Sequence, residues 1–297
     1  MRALAAFVRL GRPLFLYGGF AGVALGAAVA VWSGHRLDAA SYAWAQAAVT
    51  AFQLMVHYAN DYFDRDGDRA GARTSWSGGS GVLAEGTLPP HVALVAALVC
   101  ASAGAVASAH FALAGNAVAA AIGIAIGLLS WAYSAPPLRL EARGAGEVDA
   151  AVVVGVLVPA LAYAAFTSTA DAHIARAVAV PFVAMLVMML SVELPDAGAD
   201  RETGKRTLAV RLGIAQTWNV LTYLTVPALL LAAGEAIALR TVLGSVAIVP
   251  AVIAGLALVR TAVRDPRPAT LAFLGVAFYA LTATGLAAAY AAAAAAR

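Results

Sequence analysis

Residues 43–59 read AWAQAAVTAFQLMVHYA, and NDYFDRDGD (60–68) follows at once. The first stretch is apolar enough to enter a bilayer. The second carries Asp61, Asp64, Asp66 and Asp68. An ionised side chain at membrane depth costs about 2.5–3.5 kcal/mol even on lenient insertion scales. A junction of this kind therefore needs a partner that compensates the charge.

The rest of the chain fixes the setting. Of 297 residues, 62% are hydrophobic and 12% charged, and the mean hydropathy is +0.83. These values exclude a soluble globular domain and describe a polytopic membrane protein. A spanning helix needs roughly 20 apolar residues. Nine stretches qualify: 14–32, 43–60, 91–110, 113–133, 150–168, 175–195, 216–233, 238–259 and 269–291. The expected fold is an all-α bundle of nine transmembrane helices, because backbone polar groups in lipid must be satisfied within each segment. The alternation of a membrane barrel is absent.

Placing the N-terminus in the cytoplasm leaves four of the 19 basic residues outside: Arg36, Arg176, Arg240 and Arg297. The other 15 fall inside, as the positive-inside rule requires. The expected location is the inner (cytoplasmic) membrane, with the aspartates at the cytoplasmic face. The first span follows Arg2, Arg9 and Arg12; it is long for a cleaved signal and is read as retained. Cys100 is the single cysteine, so no intrachain disulfide is possible. Trp32, Tyr42 and Trp44 are expected in the outer aromatic belt. No nucleic-acid partner is expected, and the oligomeric state is not legible.

A second polar cluster, VELPDAGADRETGKRTL, follows the sixth span. Shifting it by 132 residues places Glu193 on Asp61, Asp196 on Asp64, Asp200 on Asp68, Arg201 on Arg69 and Lys205 on Arg73. The chain thus reads as one transmembrane domain (1–297) of two four-helix pseudo-repeats, about 10–145 and 146–265, with one span left over. Acidic residues at i, i+3 and i+7 share a helix face. If each helix continued through its cluster, past Gly67 and Pro195, each would point three carboxylates in one direction.

Two acidic faces across a bundle call for divalent cations. Oxygen donors without cysteine, and with only His57 nearby, favour Mg²⁺, Mn²⁺ or Ca²⁺ over zinc. Arg69 and Arg73, then Arg201, Lys205 and Arg206, follow the acids. Carboxylate, metal and cation together describe a diphosphate site. A calcium loop starting at Asp64 fails, with Arg69 in place of glycine and Ser75 in place of glutamate. A DGxxAR phosphotransferase start fails at Gly71. SGGSGVLAEG (77–86) follows no strand and reads as a connecting loop. His57, one turn before Asp61, is as compatible with packing as with facing a cavity.

On these residues the chain resembles the UbiA-type intramembrane prenyltransferases. NDYFDRDGD fits that family's NDxxDxxxD pattern at Asn60, Asp61, Asp64 and Asp68, and DAGAD fits its second DxxxD pattern at Asp196 and Asp200. YSAPPLRL (133–140) is similar to its segment after span 4, and Arg12-Pro13 to the start of its span 1. DRETGKRTLAVRLG (200–213) resembles the dihydroxynaphthoate prenyltransferases of menaquinone synthesis, although SVELPD stands where those carry an asparagine-rich lead.

The resemblance implies Mg²⁺-dependent transfer of an isoprenyl group from a prenyl diphosphate to an aromatic, quinone-type acceptor. It implies metal ligation by Asp64, Asp68, Asp196 and Asp200, with Asn60 orienting the first pair. Arg69, Arg73, Lys205 and Arg206 would meet the diphosphate. Tyr133 and Arg139 match positions near the substrate, Arg12 would face an acceptor carboxylate, and Asp61 or Glu193 would assist proton removal. A lyase or cyclase without acceptor, and a divalent-cation transporter, are the alternatives.

Overall fold

The computed structural model describes residues 2–65 and 79–297. Asp66, Asp68, Arg69 and Arg73 lie outside them. The described residues are helical throughout, without strands. A short helix α1 (Arg2–Leu10) breaks at Gly11 and Arg12, and a single 3-10 turn, Pro13–Leu16, leads into α2 (Tyr17–Trp32). Then follow α3 (Ala39–Asp64), α4 (Pro90–Leu113), α5 (Ala117–Ser134), α6 (Gly146–Thr167), α7 (Ala172–Glu193), α8 (Ile214–Ala238), α9 (Val242–Arg264) and α10 (Pro268–Ala295).

Among the described residues eight helices are long and apolar enough to cross a bilayer, counting α1 and α2 together. Helix α3 has the length, 26 residues, but is less apolar. Gln46, Gln53, His57, Asn60, Asp61 and Asp64 all lie on it. The expected nine-helix count thus differs by the one helix that carries the polar residues of the site.

The helices close into a ring. Helix α2 packs on α3, α6 and α10; α4 and α5 pack on α3 and on each other; α7 packs on α6, α8 and α10; α9 bridges α8 and α10. The contact of α10 with α2 joins the last span to the first. Outward-facing side chains such as Leu98, Leu113, Tyr223, Leu230 and Val242 are exposed, as a lipid-facing surface requires. Buried hydroxyls of Ser108, Ser191, Thr225 and Thr282 donate to the carbonyl four residues earlier. These four hydroxyls are thereby satisfied within their own helices.

Two features shape the interior. Helix α6 runs as a π-helix over Ala151–Leu157. Pro159 follows and cannot donate to a carbonyl in that turn. Such wide turns re-aim side chains and often border functional sites; here Asp149, Ala150, Val153 and Val154 line the central cavity. Glycine also allows α2 to cross α6 closely. A Cβ at Gly26 would overlap the Pro159 carbonyl oxygen and come within 2.8 Å of the Ala162 Cβ. Gly26→Ala is expected to separate the two helices at a cost of about 1–3 kcal/mol. A lower midpoint in detergent thermal unfolding measures it; an unchanged midpoint would show that the crossing tolerates a methyl group.

Candidate functional site

Helix α3 continues through Asn60, Asp61 and Asp64, so the first motif is helical at least that far. Its side chains nevertheless diverge. Asp61 is buried, and its two oxygens are taken by Arg12 and by the hydroxyl and backbone N–H of Ser80. Asp64 turns the other way. Its Oδ2 accepts from Lys205 Nζ at 2.6 Å and from Asn60 Nδ2 at 3.0 Å, and its Oδ1 lies 3.5 Å from Arg139. Of the three acids that an unbroken helix would set on one face, the two described ones have different partners; Asp68 lies outside the described residues.

The second cluster departs further from that expectation. Helix α7 stops at Glu193, and Asp196 stands at the start of a separate short helix, Ala197–Glu202. Pro195 accounts for the break, since it lacks a backbone donor. Asp196 and Asp200 both still line the cavity that Asn60, Asp64 and Lys205 line.

Two arginines hold the corners. Arg12 (φ 47°) and Arg139 (φ 44°) both adopt left-handed backbone, which costs a non-glycine residue about 1–2 kcal/mol. Arg12 uses the geometry to reach Asn60 Oδ1 at 2.9 Å as well as Asp61. Arg139 follows the cis Pro136–Pro137 peptide and reaches Asp64. Strain of this kind persists where the surroundings over-determine it.

The cavity has a volume of about 310 Å³. One end carries Asn60, Asp64, Glu141, Asp196, Asp200 and Lys205; the other is walled by Val153, Val154, Met185, Met188, Val276 and Tyr279. Gln53, His57, Asn60 and Asp64 follow one another along α3 and all line it. Eleven helical rises from Gln53 to Asp64 make that wall about 16 Å long. Tyr133 lines the same space. Arg139 is 40% exposed at the rim. The Arg206 side chain is exposed, and its backbone N–H bonds the Ala142 carbonyl.

Three carboxylates were not singled out by the repeat: Glu141, Glu147 and Asp149. All three are buried. Asn60 Nδ2 donates to Glu141 at 2.5 Å, and Glu147 accepts from the Leu208 backbone N–H. Glu147 also neighbours Glu193. The sequence signal was present: GEVDAAVVV (146–154) sets acids directly against an apolar run, as NDYFD does.

The electrostatics follow from burial. Desolvation, with Asp64 next to it, holds the Glu141 carboxyl well above the usual carboxylate range, against the pull of Lys205 and Arg139. Desolvation likewise raises Asp200. Burial opposes the charge on Lys205, but Asp64, Glu141 and Asp200 together outweigh it and raise the ammonium pKa. One oxygen each of Asp64, Glu141, Glu147, Asp149 and Glu193 is buried without a hydrogen-bond partner among the described residues. Bare buried carboxylate oxygens are costly, and a hard cation would satisfy them. Among the described residues no three acidic, histidine or cysteine side chains already converge as a ligand set. Asp68, one of the expected ligands, lies outside those residues.

Fold and site together define an intramembrane enzyme whose cavity is anionic at one end and apolar at the other. The chain matches the UbiA prenyltransferase family over residues 20–282 and belongs to it. Solved structures agree on the fold. A UbiA homologue from Aeropyrum pernix K1 superposes with a TM-score of 0.72 at 14% identity, over 90% of this chain and 96% of that one. A digeranylgeranylglyceryl phosphate synthase gives 0.67 at 16%, over 99% of both chains. A UbiA homologue from Archaeoglobus fulgidus, bound to GPP and Mg²⁺, gives 0.66 at 16%, over 95% and 99%. No curated protein sequence matches the chain.

The raised Glu141 carboxyl makes a stability prediction. Its unfolded pKa is about 4.3 and its folded pKa lies above that, so the native state binds the extra proton. Stability is fully retained below the unfolded value and falls as pH rises toward the folded value. Glu141→Gln keeps an acceptor for Asn60 and removes the titration. In metal-free protein the variant is expected to unfold at a higher temperature than wild type near pH 8, and at a similar one near pH 4. Parallel pH profiles for the two proteins would contradict the assignment.

Proposed function

We propose that this prenyltransferase moves an isoprenyl group from a prenyl diphosphate to an electron-rich aromatic acceptor of the quinone type, such as a dihydroxynaphthoate, with Mg²⁺ as cofactor. The observation that carries this reading is the two-ended cavity. Carboxylates and Lys205 gather at one end, and an apolar wall runs away from them along α3 and α7. A donor that is half diphosphate and half hydrocarbon has the same division.

Asp64, Asp196 and Asp200, with Asp68, would hold Mg²⁺, and the bare oxygens around them favour such a cation. The metal supplies positive charge against the negative charge that grows on the departing diphosphate. Asn60 links Asp64, Glu141 and Arg12, and so fixes the acids in position. Lys205, Arg139 and Arg206 would meet the diphosphate oxygens, together with Arg69 and Arg73 from the segment outside the described residues. Val153, Val154, Met185, Met188 and Val276 exclude water from the allylic cation. Tyr133 and Tyr279 offer ring faces that stabilise positive charge in an apolar space. The acceptor class rests on the likeness of residues 200–213 to the menaquinone branch.

The chain acts in this reading as a single domain of two diverged four-helix halves. Its N-terminus and site face the cytoplasmic side of the inner membrane, which the distribution of basic residues favours.

The test uses purified protein with Mg²⁺ and geranyl, farnesyl or geranylgeranyl diphosphate, with and without dihydroxynaphthoate or hydroxybenzoate. Acceptor-dependent diphosphate release with a prenylated product is expected. Asp64→Asn or EDTA should lower the rate at least about 100-fold with membrane insertion unchanged. Release of a hydrocarbon or alcohol without any acceptor would replace transfer by a lyase reaction. Full activity in Asp64→Asn would remove the metal assignment.

A further inference from the structure

Attack by an aromatic carbon that carries hydrogen leaves a proton that must depart before the ring is aromatic again; at a carboxyl-bearing carbon, carbon dioxide departs instead. Asp61, the nearest acid by sequence, has both oxygens engaged by Arg12 and Ser80. Glu147 accepts from the Leu208 backbone N–H, and Glu193 neighbours it. His57 is different. It lines the cavity, between Gln53 on the apolar side and Asn60 on the acidic side. Its Nδ1 lies 2.8 Å from the Gly11 carbonyl oxygen. A carbonyl only accepts, so Nδ1 must carry the hydrogen. In the neutral ring this leaves the lone pair on Nε2, for which no partner is found among the described residues. The Phe15 ring meets the imidazole edge-on, with centroids 6.5 Å apart, and helps fix its plane.

Position along α3 agrees with this chemistry. Asn60 is three residues on and Asp64 seven, about 4.5 Å and 10 Å along the helix axis. A base at His57 would therefore stand just tailward of the diphosphate end, on the side from which the donor's hydrocarbon chain would run.

We propose that His57 is the catalytic base that removes the acceptor proton, an assignment that rests on the transfer reading above. The bond between the first prenyl carbon and the diphosphate oxygen breaks, and its electron pair leaves with the diphosphate. A carbon–carbon bond forms to the acceptor ring. The ring C–H pair restores aromaticity, and the proton passes to His57 Nε2. Solvent takes it from the imidazolium when the product leaves.

His57→Asn is the informative variant. Its amide nitrogen can still donate to the Gly11 carbonyl, so the 11–16 segment stays anchored while the base is gone. Prenylated product is expected to form at least about 100-fold more slowly, with the KM for the prenyl diphosphate within about twofold of wild type. Deuterium at the reacting ring carbon should slow the variant more than wild type, because proton loss has become limiting. His57→Ala, which also loses the Gly11 bond, should raise the donor KM as well. Product formation by His57→Asn within about threefold of wild type would overturn the assignment. So would an unchanged isotope effect, or Asp149→Asn giving this pattern instead. Wild-type protein that makes no acceptor-dependent product would instead overturn the transfer reading itself, a separate result visible before any variant is made.

Discussion

The ion pair between Asp64 and Lys205 joins residues 141 positions apart. In an apolar bundle a buried charge must find its opposite, because breaking such a pair costs about 3–5 kcal/mol. Asp64 ends α3, and Lys205 sits in the loop after α7. Their contact therefore fixes how the first part of the bundle meets the second at the acidic end. Asn60 and Arg139 gather on the same carboxylate, and Asn60 also holds Glu141. The ring of helices can close around a cavity because this end is held by charge while its walls are held by apolar packing.

The remaining carboxylates are not neutralised in this way. Glu141, Glu147, Asp149 and Glu193 each keep a buried oxygen without a partner among the described residues. A fold selected for stability alone would not retain them, since well-packed apolar groups of similar volume are usually at least as stabilising. Their cost is the structural mark of a site built for something absent from the polypeptide. Arg12, Arg139 and the π-helical turn in α6 add local departures from ideal geometry beside the cavity, while Ser168 and Arg240 adopt left-handed backbone elsewhere.

Helix α3 shows how one element serves both ends. Its apolar face packs through Val49, Phe52 and Met55 into the core. Its other face presents Gln53, His57, Asn60 and Asp64 in sequence to the cavity. Gln53 and His57 also bond the backbone carbonyls of Phe15 and Gly11. They thus tie the segment between α1 and α2 against the site, and through Arg12 that segment reaches Asn60 and Asp61. Cavity wall and chain anchor are the same side chains.

By itself, the sequence determined the all-helical membrane class, most span positions and the two acidic clusters. Long apolar runs and the cost of buried charge are local properties that can be read without a partner. It also marked Asp64, Asp196, Asp200 and Lys205, because their spacing recurs in both halves, and Asn60 through the family pattern. What it did not show was the division of labour within a motif. Asp61 and Asp64 are three residues apart and look equivalent, yet one is bound to Arg12 and Ser80 and the other to Lys205. Glu141, Glu147 and Asp149 escaped notice because they have no counterpart in the repeat. Their closeness to Asn60, Leu208 and Glu193 arises only when α3, α6 and α7 are packed together. Nor did it show that His57 bonds the Gly11 carbonyl, 46 residues away, through one ring nitrogen. Charge and hydrophobicity are written along the chain, but which oxygen meets which donor is decided by distances that only the folded bundle sets.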